Sequence, residues 1–222
     1  MATRTSLAWI LLGALVLAGT QRGDAVAIRV PGTQDARPVA SPVVLRIDRR
    51  DKMTARQLTQ LRAGSATARE LLVRVGNLQD TILIVRADPA LVGRSRLYGR
   101  SRFWVNSGEL FGYIQYQAGT LNSLGTQCLI VHELAHAMEI ASADWKAGTT
   151  AVRDFVLSRA LGLSQADGSE TEFPQQVALL VLGELQGAAA GGRTLEQIAE
   201  AHHIALPPAI PADGLQASAG RH

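Results

Sequence analysis

Residues Leu129 to Ile140 constrain this chain more than any others. They carry His132-Glu133-Leu134-Ala135-His136 inside an otherwise apolar run of Leu129, Ile130, Val131, Leu134, Ala135, Met138 and Ile140. The run reads as one largely buried helix from about Leu124 to Ala143. On a helix, residues four apart sit one turn apart on the same face. His132 and His136 can therefore aim two imidazole nitrogens at one metal ion, while Glu133, offset from that line, can reach a water beside it. Two neutral nitrogens, an open position and a nearby carboxylate are the parts of a catalytic zinc site. A purely structural helix has no reason to carry His, Glu and His together in its apolar stretch, where each costs desolvation. With only 5 histidines in 222 residues, a chance match to this order is rare.

Two histidines hold zinc poorly, and catalytic sites take a third protein ligand. The long pattern with a third histidine ten positions after the first is excluded, because Ser142 stands at that position and Glu139 stands where the pattern needs glycine. The ligand must come from elsewhere. Glu172 is favoured: it opens a second apolar helix through Val177, Leu180, Val181 and Leu185, and a helix packed across the first could supply the third corner. Glu170 shares its loop, and Asp144, Asp154 and Glu184 stay open as alternatives. Glu139, one turn beyond His136, suits a supporting or solvated role. His202 and His203 fall at an expected helix end and read as surface residues, and His222 is terminal. Cys128, one turn before His132, reads as a small core residue. As the single cysteine it can form no intrachain disulfide.

Residues 1–27 read as a signal peptide, with Arg4 in the n-region, an apolar stretch from Leu7 to Leu17 and an A-x-A site at Ala25-Val26-Ala27. Export to a periplasmic or extracellular location follows as an expectation, with no stable membrane association once the segment is cleaved. Thr20 stands where a lipoprotein box needs its cysteine, so lipid anchoring through Leu17-Ala18-Gly19-Thr20 is excluded. Pro31, Gly32, Pro38 and Pro42 mark 28–42 as a linker. The domain is expected over 43–204, and Pro207, Pro208 and Pro211 with many small residues suggest a disordered tail over 205–222. Apolar residues at 47% support a sizeable core. The charge, +3 overall, is scattered without a Lys/Arg block, which argues against a nucleic-acid partner.

Within 43–204, strands are expected at Val43–Ile47, Thr81–Val85, Arg102–Val105 and Leu110–Gln117. The last two form a hairpin about Asn106-Ser107-Gly108. Helices are expected at Thr54–Leu61, from the N-cap Ser65 to Asn77, from Thr149 or Thr150 to Leu161 where Gly162 stops it, from a capping box at Ser169-Glu170-Thr171-Glu172, and from Thr194 to about His203. Gln165 to Gly168 reads as a turn. The fold class is α+β: a small domain with an antiparallel or mixed sheet in the N-terminal half and a helical C-terminal half carrying the zinc helix. The hairpin is a place where an extended peptide could add itself as a strand.

The order His132 to His136 resembles the zincin metallopeptidases. More narrowly, Ile130-Val131-His132-Glu133-Leu134-Ala135-His136-Ala137, followed by Glu172-Phe173-Pro174-Gln175-Gln176-Val177-Ala178-Leu179, is similar to the NleD-type bacterial effector proteases. In that family an H-E-L-x-H-A helix precedes a segment beginning E-E and running into an apolar helix. Glu172 matches the first glutamate, while Phe173 replaces the second. The resemblance spans roughly Ile130 to Leu180 and implies zinc-dependent hydrolysis of a peptide or protein. Zn2+ on His132, His136 and Glu172 would lower the pKa of a water, and Glu133 would take its proton and return it to the leaving amine. Tyr98, Tyr113 and Tyr116 are candidate oxyanion donors. Alternatives are a degenerate zincin acting as an exported binding domain, a zinc hydrolase of non-protein amides or esters, and a metal-free exported scaffold.

Overall fold

The computed structural model describes residues 14–15, 44–47, 51–88, 91, 98–117, 122–159, 170–188 and 192–209. Apart from 14–15, the expected signal segment lies outside the described residues. So do the linker 28–42, the helix stop at Leu161 and Gly162, the turn at 165–168, Ser169 and the tail beyond 209. Among the described residues no helix is long and apolar enough to cross a membrane.

The molecule is α+β, with the sheet in the N-terminal half and a helical C-terminal half, as the sequence predicts. Strands β2 (Val44–Ile47), β3 (Thr81–Ala87), β4 (Gly99–Asn106) and β5 (Glu109–Tyr116) form a mixed sheet in the order β4-β5-β3-β2, and the two-residue β1 (Ala14–Leu15) pairs in parallel outside β4. β3 is the interior strand expected of its apolar, β-branched run: it pairs in parallel with both β2 and β5. β4 and β5 form the antiparallel hairpin, closed by Ser107 and Gly108 with φ of 51° and 78°. Both lie in the left-handed region that two-residue hairpin turns demand. Gly112 is where the sheet is tightest. A Cβ there would meet Leu83 Cδ2 at 2.5 Å and Phe103 Cε1 at 2.7 Å, so only glycine lets both side chains fill that layer.

Helices α1 (Lys52–Gly64) and α2 (Ala66–Gly76) are punctuated as their sequence requires. Asp51 caps the first by accepting from the Thr54 amide at 2.9 Å. Ser65 caps the second by accepting from the Ala68 amide at 2.9 Å, and Asn77 ends it. α3 (Ser123–Ala141) begins at Asn122, whose side chain accepts from the Gly125 amide. Every residue of α3 from Thr126 to Ile140 is buried, between β4 and β5, α2 and the later helix α5 (Glu172–Leu185). Full burial of a Leu, Ile or Met side chain contributes about 1.5–3 kcal/mol. Ile130, Leu134 and Met138 thus anchor the helix that carries the motif. α4 (Thr149–Arg159) follows, its Thr149 hydroxyl accepting from the Val105 amide, so that α4 is tied to the end of β4. α6 (Leu195–Ala201) starts with the expected capping box of Thr194 and Gln197.

Two expectations change. The capping box at Ser169–Glu172 does not set the start of α5. Thr171 takes the N-cap position without a side-chain cap bond, because its hydroxyl is used elsewhere, and Glu172 becomes the first helical residue. The expected tail also begins as ordered contact. The carbonyls of Pro207 and Pro208 accept from Arg74 Nη1 at 2.7 Å and Asn77 Nδ2 at 2.8 Å, which holds 205–209 against the end of α2.

Candidate metal centre

Two parts of the chain meet at this site. α3 presents His132 and His136 one turn apart, with ring centroids 4.9 Å from each other and planes at 84°. Glu170, next to the extended N-cap Thr171 of α5, joins them. Its Oε1 lies 3.2 Å from His132 Nε2 and 3.7 Å from His136 Nε2. One ligand atom from each residue lies within 4.8 Å of the others. A tetrahedral zinc with bonds of about 2.0–2.1 Å spaces its ligands about 3.3 Å apart, which the observed separations bracket.

The polar atoms of this group face one another more than they face donors. Among the described residues, both ring nitrogens of His132 and of His136, both oxygens of Glu170 and Oε1 of Glu133 are buried without a hydrogen bond. Exposure is 0% for His132, 1% for Glu133 and His136 and 2% for Glu170, so solvent does not stand in for the missing partners. Each buried unsatisfied polar group costs about 1–3 kcal/mol. A single cation satisfies several of these atoms at once, so the residues fit a divalent metal.

Glu139 supports His136 from behind. Its Oε2 lies 3.4 Å from His136 Nδ1 and accepts from the Thr171 hydroxyl at 2.6 Å, while Arg159 Nε stands 3.2 Å from Oε1. A carboxylate behind a ligating imidazole fixes its orientation and raises its basicity. Burial opposes the Glu139 charge, but His136, Thr171 and Arg159 outweigh it and hold its carboxyl below the usual range. Burial also disfavours the His136 imidazolium, yet the carboxylates of Glu139, Glu170 and Glu133 together hold its pKa above the ordinary histidine value. Glu133 differs: burial dominates and pushes its carboxyl up, against the lowering effects of the two histidines and of Ser101.

The favoured third ligand, Glu172, is not brought to the imidazoles. It is exposed at the first turn of α5, and its Oε1 accepts from Gln176 Nε2 at 2.6 Å. Glu170 takes that place instead. The reason is the helix start: with the extended Thr171 as N-cap, Glu170 stays outside the helix and is buried, and the first helical residue, Glu172, turns outward. Asp144 and Asp154 are exposed. Glu184 accepts from Ser65 Oγ at 2.5 Å, Thr67 Oγ1 at 2.6 Å and the Thr67 amide at 3.0 Å, all at the start of α2. His202 is half-buried, its ring 6.1 Å from that of Phe173, and His203 is exposed. Cys128 is a buried core residue whose thiol is pushed up to about 11 by desolvation. Of the candidate donors, Tyr116 is committed to Thr54, hydroxyl to hydroxyl at 2.7 Å. Tyr113 alternates with Gly112 and Ile114 and so faces the side of the sheet away from α3.

The sequence reading missed Ser101. It lies on β4 and donates from Oγ to Glu133 Oε2 at 2.6 Å. The sequence signal is a serine on the inward face of β4, which otherwise carries Gly99, Phe103 and Val105. A cavity of about 340 Å³ is lined by Glu139, Arg159, Thr171, Glu172, Phe173 and His202. A larger one, about 670 Å³, lies beyond the last residue of α3 and is lined by none of the candidate ligands. Comparison of the chain with protein-family models, curated proteins and solved structures gave no match.

Proposed function

We propose that this chain is a zinc-dependent metallopeptidase of the zincin kind, in which His132, His136 and Glu170 hold the ion and Glu133 is the general base. The observation that carries this reading is the group of His132, His136 and Glu170, whose ligand atoms lie within 4.8 Å of one another and have no hydrogen bond among the described residues, with Glu133 next to His132 on the same helix. A divalent ion bound there supplies Lewis acidity, which lowers the pKa of water and polarises a carbonyl. The protein's own part is then definite. Glu133 takes a proton from the attacking water as its oxygen bonds to the peptide carbonyl carbon, and delivers that proton to the departing amine as the C–N bond breaks. Glu139 keeps the His136 ring in its ligating orientation. With residues 1–27 read as a signal peptide, the place of action is outside the cytoplasm and the substrate is an exported or extracellular polypeptide.

A second reading is a metal-binding domain without turnover. The complete burial of the ligand group favours it, since a substrate carbonyl needs a path to the ion. Metal analysis of the purified protein, followed by hydrolysis of a peptide library, separates the two. The peptidase reading expects one metal per chain, hydrolysis in the wild type, and a Glu133→Gln variant that keeps its metal and loses about 10²–10⁴-fold in rate, the usual weight of a positioned base. Metal without hydrolysis supports the binding domain, and a chain that binds no metal ends both.

A further inference from the structure

Strand β4 meets the Glu133 carboxylate at two points. Ser101, itself 0% exposed, donates to Oε2 at 2.6 Å. Gly99, two residues earlier, faces the same way, because alternate residues of a strand share a face. A Cβ on Gly99 would stand 2.9 Å from Glu133 Oε1 and 2.7 Å from Leu129 Cδ1. The carboxylate is therefore asymmetric: Oε2 is held by a hydroxyl, while Oε1 is buried without a hydrogen bond, close to the bare backbone of β4. Packing alone does not call for this. Phe103 and Val105 continue the same face of β4 with apolar side chains against the core.

We propose that Ser101 is a positioning residue for the general base: it fixes Oε2 so that Oε1 is the oxygen that receives the proton, and Gly99 keeps β4 clear of that oxygen. The inference rests on the reading of Glu133 as a general base. A carboxylate free to turn about its terminal torsion would share the task between two oxygens and spend much of its time misaligned, and small misplacements of a reacting group are costly in rate.

The test compares the full-length wild type with Ser101→Ala and Ser101→Thr, reading bound metal, kcat and KM on a library-derived peptide, and the Glu133 side chain in crystal structures. Ser101→Ala is expected to keep its metal and its KM and to lose up to about 10²-fold in kcat, with the Glu133 carboxylate turned from its wild-type position. Ser101→Thr keeps the hydroxyl and is expected to recover most of the loss. Wild-type kcat in Ser101→Ala, an unmoved Glu133 carboxylate in that variant, or a folded Ser101→Thr no better than Ser101→Ala overturns the inference while leaving the peptidase reading standing. A wild type that hydrolyses no peptide ends the peptidase reading and the inference with it.

Discussion

Two glutamates bracket helix α5, and they have opposite surroundings. Glu184, in its last turn, accepts three hydrogen bonds from Ser65 and Thr67 and sits at the N-terminus of α2, where a negative charge is favoured. Glu170, two residues before its first turn, is 2% exposed and, among the described residues, has no hydrogen bond on either oxygen. The first carboxylate is satisfied by protein donors and joins two helices. Among the described residues, the second has the imidazoles of His132 and His136 within 4 Å and no hydrogen-bond donor. A buried acid whose donors are all present is structural, and one whose neighbours are all potential ligands calls for a cation.

The largest effect that can break this contrast concerns the metal. Glu170→Gln is expected to abolish metal binding, whereas Glu184→Gln and Glu172→Gln keep it. At a thousandfold excess over Kd, binding stabilises the fold by about 4 kcal/mol. Scanning calorimetry with and without chelator should therefore show a metal-dependent rise of roughly 10 °C in wild type, since 1 kcal/mol moves Tm by about 2–4 °C at this size. The rise should be missing in Glu170→Gln alone. Equal rises in Glu170→Gln and wild type would remove Glu170 from the site.

Glu139→Gln weakens the support of His136, and isothermal titration should find metal affinity lower by about 10–100-fold. In the metal-free protein the two bracketing glutamates should respond with opposite signs. Glu170→Gln removes a buried carboxylate that has no hydrogen bond among the described residues and is expected to raise stability by about 1–3 kcal/mol. Glu184→Gln gives up charge-assisted bonds at a helix start and should lower it by about 1 kcal/mol. Urea unfolding at neutral pH measures both, and the same sign in both would dissolve the comparison.

The smallest effect is a pH dependence. Burial disfavours the Glu184 charge, but the bonds from Ser65 and Thr67 outweigh it and hold its carboxyl below the usual glutamate value. A folded pKa below the unfolded one means that its contribution is fully present above the unfolded pKa. It is then lost as pH falls through the folded one. Glu184→Gln should therefore flatten the acid side of the stability curve, read as the urea midpoint between pH 7 and pH 3.

Much of this organisation is legible in the residues. Caps at Ser65, Thr194 and Asn77, the hairpin about Ser107-Gly108 and the interior strand at Thr81 are local signals, decided by side chains within a few positions of one another. So are His132, Glu133 and His136, whose spacing alone places them on one helix. The third member of the group was not legible in the same way. Choosing Glu170 over Glu172 depends on which residue starts α5, and that is settled by a contact across 32 positions, where the Thr171 hydroxyl binds Glu139 instead of capping its own helix. Ser101 escaped for the same reason: its partner is 32 residues away on another element.

The enclosure of α3 reaches beyond its ligands. An ordinary surface helix shows a rhythm in a saturation mutagenesis scan, with tolerant positions recurring as each turn faces water. Every residue from Thr126 to Ile140 is covered by a neighbouring element, so that rhythm should vanish, leaving fifteen consecutive intolerant positions. The stretch that carries the chemistry would then have almost no neutral substitutions from which variation could begin, and drift in this chain would be confined to its outer helices and loops.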